Sequence, residues 1–147
     1  MNRIEFIKAC GFACIGGVAM TTLLESCAST NYYAQSALTN NQITIKKAEF
    51  VKIEQGKSTQ RKYVLVKIDK LNFPICIYKI SEESYSALLM ECTHRGCELH
   101  PGGDYLVCPC HGSEFTNKGI VQNPPAEENL KTFKTTTDNE NIYVQLS

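Results

Sequence analysis

Four cysteines and two histidines, all able to bind a metal ion, crowd into one short stretch of the chain. They form two boxes, Cys92-Thr93-His94-Arg95-Gly96-Cys97 and Cys108-Pro109-Cys110-His111-Gly112-Ser113. Each box supplies one cysteine and one histidine at close spacing, and one further cysteine. Each also contains a glycine and follows a strand-like run, so we expect two loops at the end of a sheet. Such crowding of soft ligands predicts a metal site.

Two cysteines and two histidines form a ligand set for zinc or for an iron–sulfur cluster. A structural zinc ion would leave the other two cysteines unexplained, or would use the cysteines in a different combination. The N-terminal segment has the features of an export signal, and cysteine pairs of exported domains tend to form disulfides. Two cysteines, two histidines and one disulfide would account for all the residues in the boxes.

The boxes resemble those of the Rieske iron–sulfur family, C-x-H-x-G-C followed by C-P-C-H-G-S. The resemblance implies a [2Fe–2S] cluster in which Cys92 and Cys108 hold one iron, while His94 and His111 hold the other. Neutral imidazoles in place of thiolates make such a cluster easier to reduce, at about −150 to +300 mV against about −400 mV for plant-type ferredoxins. Solvent-facing histidines also allow electron gain to be coupled to proton uptake.

The resemblance further implies a disulfide between Cys97 and Cys110 that links the two loops. In the family, ferredoxins and oxygenase components that feed ring hydroxylation usually lack this pair, whereas the subunits of quinol–cytochrome reductases have it. Ser113 favours the same subgroup, because its hydroxyl takes the place of a donor to a bridging sulfide that stabilises the reduced state.

Two positions depart from the high-potential subgroup. Phe115 stands where those members carry tyrosine, so we expect an intermediate potential suited to a low-potential donor such as menaquinol. Arg95 stands where quinol-oxidising members have leucine, which places a positive charge near His94 and argues against direct contact with a quinol. Pro124 belongs to Asn123-Pro124-Pro125-Ala126, which resembles the family's loop over the cluster, although a simple turn would also fit.

The N-terminal segment has a basic start, an apolar run over residues 9–24 and small residues around Cys27. Leu24-Glu25-Ser26-Cys27 resembles a bacterial lipobox, which implies that Cys27 is acylated and tethers the domain. The alternative is that residues 9–24 remain as a membrane anchor. Either interpretation places a membrane-attached domain on the extracytoplasmic side of a bacterial cell envelope.

The elements that must position the boxes are short and strand-like. Residues 43–45, 63–68, 73–80, 85–90, 105–107 and 142–146 form apolar or alternating runs separated by turn-forming residues. The pattern and the resemblance predict an all-β fold, an antiparallel β-sandwich with a small cluster-binding subdomain of two loops. Pro74 should lie at an edge or at the start of its strand, because it cannot donate a ladder hydrogen bond.

We expect three segments: an export signal or anchor over 1–26, a flexible linker over 27–41, and the Rieske domain over 42–147. The cluster-binding part should cover about 88–126.

The chain has 147 residues, 43% of them hydrophobic, and no net charge, which disfavours nucleic-acid binding. Cys76 is expected to be a buried apolar residue, and His100 a surface or turn residue.

The resemblance therefore implies one-electron transfer in a quinol–cytochrome oxidoreductase chain, with a cytochrome or a quinol-oxidising membrane subunit as partner. The chain would be a subunit of such a complex and not an enzyme alone. Two alternatives stay open. One is a stand-alone ferredoxin-like donor to an oxygenase, and the other is a zinc-stabilised binding module without a redox role.

Overall fold

The computed structural model of the chain describes residues 31–147. The expected export signal over 1–26, the alternative anchor over 9–24 and the acylated Cys27 lie outside the described residues. Within residues 31–147, no helix is long and apolar enough to cross a membrane.

The regular secondary structure of the described chain consists of antiparallel strands and one turn of 3-10 helix at Lys47–Phe50. The strands are β1 (Ser36–Thr39), β2 (Gln42–Lys46), β3 (Val51–Glu54), β4 (Lys57–Gln60), β5 (Tyr63–Val66), β6 (Ile75–Lys79), β7 (Tyr85–Leu89), β8 (His100–Pro101), β9 (Tyr105–Val107), β10 (Glu114–Thr116), β11 (Val121–Asn123), β12 (Thr132–Thr137) and β13 (Asn141–Gln145). The predicted all-β fold is confirmed. Each of the six predicted runs overlaps a strand, and Pro74 immediately precedes the first residue of β6.

The largest sheet has seven strands in the order β1-β2-β13-β12-β7-β6-β5. Its two edges are joined by the segment that leads into β1. Ala34 donates its backbone N–H to Leu65 of β5 at 2.8 Å, and Leu65 donates to the carbonyl of Tyr32 at 2.9 Å. The curled sheet encloses a core of aliphatic and aromatic side chains that includes Ile43, Phe50 and Val144.

Ordered structure starts earlier than the sequence predicts, since β1 lies within the expected linker over 27–41. All four residues of β1 are exposed. The sequence therefore shows no alternation of buried apolar and exposed polar side chains that would predict a strand there. Backbone pairing with β2 holds it instead, from Ser36 opposite Ile45 to Thr39 opposite Gln42. Asn40 and Asn41 make the turn with φ of 48° and 62°, the left-handed conformation that tight hairpins require and asparagine tolerates.

A smaller, four-stranded sheet in the order β11-β10-β9-β8 carries the loops of interest. Behind it lies a second core, which includes Leu88, Leu106, Phe115 and the cysteines Cys92 and Cys108. Two polar contacts connect this sheet to the larger one.

The first contact is a hydrogen bond from the hydroxyl of Tyr78 to the carbonyl of Tyr105 at 2.9 Å. The second is an ion pair between Lys62 and Asp104 at 2.5 Å. The remaining two strands, β3 and β4, form a separate two-stranded sheet.

Candidate metal centre

The first box forms a loop closed by an antiparallel bridge between Glu91 and Glu98. Inside it, Cys92 donates its backbone N–H to the carbonyl of Cys97 at 2.8 Å, and Gly96 donates to the carbonyl of Cys92 at 2.7 Å. Gly96 has a φ of 69°, which a side chain would disfavour. The glycine therefore lets the chain reverse within one short loop.

The second box repeats this arrangement at the end of the β9–β10 pair. Cys108 donates its backbone N–H to the carbonyl of Ser113 at 2.8 Å, and Gly112 donates to the carbonyl of Cys108 at 3.0 Å. Gly112 has a φ of 80°. Each loop thus begins at a buried cysteine and returns after the same number of residues, which gives the two boxes a common backbone scaffold.

The two loops bring His94 and His111 together. Their ring centroids lie 4.9 Å apart and the rings are nearly perpendicular, at 88°. His111 is exposed and His94 is half-buried. Nδ1 of His94 is buried and has no hydrogen-bond partner among the described residues. A buried imidazole nitrogen without a partner is costly unless a group such as a metal ion binds it.

The cysteine side chains that begin the loops lie in the core, with Cys92 and Cys108 each 1% exposed. Burial raises the pKa of the Cys92 thiol, and so does the neighbouring Cys108 thiol, while hydrogen bonding by the backbone N–H groups of His94 and Arg95 acts in the opposite direction. These N–H groups stabilise the thiolate form, which is the form that binds metal. Two buried thiols and two converging imidazoles fit the donor set of a [2Fe–2S] cluster with mixed ligands.

The loops are linked by a disulfide between Cys97 and Cys110, as the resemblance implied. The Sγ atoms of Cys97, Cys108 and Cys110 all lie within 4.8 Å of one another. Sulfurs joined in a disulfide are not thiolates, so this group offers a metal only the Cys108 sulfur. The disulfide instead holds the second loop against the first.

Ser113 is fully buried at the end of the second loop. Its Oγ accepts a hydrogen bond from the backbone N–H of Ala126 at 3.0 Å. Because a hydroxyl can accept and donate at once, the Ser113 O–H is still able to serve as a donor. The same hydroxyl thus ties the second loop to the segment that contains Pro124.

That segment is fastened to both loops. Asn123 donates from its side chain to the carbonyl of Gly112 at 3.2 Å, and the Thr93 hydroxyl donates to the carbonyl of Glu128 at 2.7 Å. Pro124, between them, is exposed. The pairing of Thr93 with Glu128 was not predicted, and no local pattern could have revealed it, because the two residues are distant in sequence.

The other residues singled out from the sequence occupy distinct environments. Phe115 on β10 is fully buried in the same core as Cys92 and Cys108, and Arg95 is exposed in the first loop. His100 is exposed on β8. Cys76 is completely buried, as predicted, and burial raises the pKa of its thiol.

Comparison with known proteins adds an independent observation. The model of the family described as "Rieske [2Fe-2S] domain" matches residues 44–134. The cytochrome b6-f complex iron-sulfur subunit of Synechococcus sp. (strain CC9605) is 36% identical over 55 residues, which are 36% of this chain and 31% of that protein. The subunit of the same name from Chlorobaculum tepidum is 33% identical over 66 residues, 44% of this chain and 36% of that protein.

Among solved structures, the plasma membrane Rieske protein PetC3 from Synechocystis PCC 6803 is similar with a TM-score of 0.51 and 31% sequence identity. The match covers 57% of this chain and 86% of that one. The chain spans about a third of the length of the curated relatives that it matches.

Proposed function

Because the chain belongs to the Rieske [2Fe–2S] domain family, we propose that its two loops hold a [2Fe–2S] cluster through Cys92, Cys108, His94 and His111. The observation that carries this proposal is the convergence of the two imidazoles, 4.9 Å apart, with the buried Nδ1 of His94 left without a partner. When bound, the cluster supplies a one-electron redox centre.

The protein contributes an asymmetric environment to that centre. The thiols of Cys92 and Cys108 lie in the core, whereas His111 faces solvent. Neutral imidazoles on the exposed side reduce the negative charge there, which favours acceptance of an electron. A partner protein would therefore approach the histidine side, and the disulfide between Cys97 and Cys110 would keep the two loops from separating.

The partner we propose is a cytochrome or a quinol-oxidising subunit of a membrane complex. Similarity to cytochrome b6-f iron-sulfur subunits supports this proposal, and so does the disulfide. Arg95 is exposed next to His94 and would give the contact surface a positive charge in place of an apolar one. The oxygenase donor and the zinc-stabilised module receive no such support.

We place the domain on the extracytoplasmic side of a bacterial membrane, attached through an acylated Cys27 or through a retained anchor over residues 9–24. The similarity to a plasma membrane Rieske protein supports membrane attachment. Mass spectrometry of the protein purified from membranes distinguishes the two forms of attachment. A lipid on an N-terminal Cys27 supports the first, and peptides from residues 9–24 support the second.

The cluster is tested by purifying the full chain from membranes and measuring its iron content and its paramagnetic resonance spectrum after reduction. We expect about two irons per chain and a rhombic signal. His111→Ala should abolish the signal, because it removes a ligand. His100→Ala is the matched control and should leave the signal intact, since His100 lies exposed on β8. Zinc in place of iron, or an unchanged signal in His111→Ala, would contradict the proposal.

A further inference from the structure

The β3–β4 hairpin is exposed on both of its faces. Every residue of the two strands is exposed except Lys52, which is half-buried. Ile53 is 76% exposed and Val51, two positions before it on the same face, is 39% exposed. A two-stranded hairpin is only marginally stable alone, and burying apolar surface is what normally stabilises one. We call residues 46–62, which comprise this hairpin and its flanks, the basic arm.

The basic arm carries a strong positive charge in a chain whose net charge is zero. It contains six basic residues and two acidic ones, a net charge of +4: Lys46, Lys47, Lys52, Lys57, Arg61 and Lys62 against Glu49 and Glu54. Lys52 pairs with Glu54, and Lys62 pairs with Asp104. Within residues 31–147, Lys46, Lys47 and Lys57 take part in no salt bridge.

The base of the arm is also where the N-terminal segment enters the domain. The ring of Tyr32 lies 3.7 Å from the Arg61 guanidinium, and its hydroxyl donates to Glu49 at 2.7 Å. Arg61 in turn donates to the carbonyl of Val51 at 2.6 Å. The first described residues are thus fastened to the base of the basic arm.

We propose that the basic arm docks on the anionic lipid surface of the membrane to which the N-terminal segment is attached. The inference rests on the membrane attachment proposed above. Fully extended, the chain from Cys27 to Tyr32 spans about 17 Å, and from Leu24 to Tyr32 about 28 Å. Either attachment keeps the base of the arm close to the bilayer. Lysines next to an anionic leaflet are attracted to it, and an exposed isoleucine between them can enter the headgroup region.

Docking would hold the domain in one orientation. The arm and the tether would contact the bilayer together, so the domain could not rotate freely about its N-terminal segment. A partner in the same membrane would then meet the loops that carry His94 and His111 in a restricted range of orientations.

A photo-crosslinking experiment on the full-length, cluster-containing chain tests the contact. A benzophenone amino acid replaces Ile53, and in the matched control it replaces Ile120, which is 50% exposed next to the small sheet. Each protein is reconstituted into vesicles of phosphatidylethanolamine and phosphatidylglycerol, irradiated and analysed by mass spectrometry. We expect at least fivefold more lipid adduct at position 53 than at position 120. Equal yields, or adducts at position 53 with protein alone, would overturn the proposal.

The charge dependence gives a second measurement. Lys57→Gln should lower the lipid adduct at position 53 severalfold, and so should vesicles of phosphatidylcholine alone. Lys118→Gln, which removes another exposed lysine beside a turn glycine, should have no effect. An adduct that is insensitive to both changes would refute the electrostatic part of the proposal. The cluster signal is recorded in every sample, so a full signal without lipid adducts means that docking alone has failed.

Discussion

Phe115 lies in the core behind the two loops and is fully buried. Replacing it with tyrosine adds one hydroxyl at a position where the family's high-potential members have one. If that hydroxyl donates to a sulfur ligand, it stabilises the more negative reduced state, and the midpoint potential rises. A differential stabilisation of about 1.4 kcal/mol corresponds to about 60 mV for one electron. We therefore expect Phe115→Tyr to raise the potential by about that amount in a redox titration.

The control for this substitution is Phe133→Tyr. Phe133 is also buried, but in the core of the large sheet, away from the cysteines. This variant should leave the midpoint potential unchanged. If Phe115→Tyr shifts the potential no more than Phe133→Tyr does, position 115 does not have the role that the resemblance assigns to it.

Ser113 combines a structural contact with an electrostatic one. Ser113→Ala removes the acceptor for the backbone N–H of Ala126, and a buried donor left without a partner costs about 1–3 kcal/mol. The same change removes an O–H donor near the proposed cluster, so the reduced state loses stabilisation. We expect a lower midpoint potential and a lower free energy of unfolding, measured by redox titration and chemical denaturation.

Ser86→Ala, at a half-buried position of β7, controls for the loss of a serine hydroxyl elsewhere. It should change neither quantity by a comparable amount. An unchanged potential in Ser113→Ala, together with reduced stability, would show that the hydroxyl acts only on the backbone of Ala126.

At the scale of elements, the two loops depend on each other through the disulfide, which joins residues 13 positions apart. A loop of roughly this length, closed by a disulfide, is worth about 3 kcal/mol in the chain-entropy model. We expect the double variant Cys97→Ser/Cys110→Ser to unfold at lower denaturant concentration and to lose its visible absorption several times faster on dilution. The absorbance decay measures cluster loss directly.

Cys76→Ala provides the matched control, because Cys76 is a buried cysteine outside both loops. Its absorbance should decay at the rate of the parent protein. If the double serine variant keeps its absorption as long as the parent does, the loops are held together by the remaining contacts, such as that between Thr93 and Glu128.

The sequence predicts every strand that buries two or more side chains. It misses the strands that bury none, and also β10 and β12, which bury only Phe115 and Phe133. Strand β2 alternates buried Ile43 and Ile45 with less buried neighbours, and the period-two pattern is visible in the sequence. Strands β1, β3 and β4 are held by backbone pairing and have no buried face, so their side chains carry no such signal. For these strands, only turn residues such as Asn40 and Asn41 could have indicated a hairpin from the sequence.

The features of the candidate site also differ in whether the sequence could predict them. The two boxes could be recognised because their residue types are specific and closely spaced, and the family resemblance that they carry implied the disulfide. The contact between Thr93 and Glu128 and the acceptor role of Ser113 depend on how distant segments pack, which spacing does not encode.

At the scale of the whole molecule, one short segment joins the two edges of the large sheet. Tyr32, Tyr33 and Ala34 pair with Leu65 of β5, and the chain then continues into β1. Arg61 reinforces this closure with hydrogen bonds to the carbonyls of Glu49 and Val51, in addition to its contact with the Tyr32 ring. We therefore expect the stability of the closure between β5 and the segment before β1 to depend on the Arg61 guanidinium.

Arg61→Lys keeps the charge but removes the planar group that serves both carbonyls and the ring. We expect a loss of about 1–2 kcal/mol that is local, because the edge opens without unfolding the core. Hydrogen exchange at the amides of Ala34 and Leu65 should become faster, while exchange at Ile43 and Ile45 stays slow. Lys131→Ala, which removes a cation 5.4 Å from the Phe133 ring, is the control and should leave all these amides unchanged. Uniformly faster exchange in Arg61→Lys would mean that this edge opens only when the whole sheet unfolds.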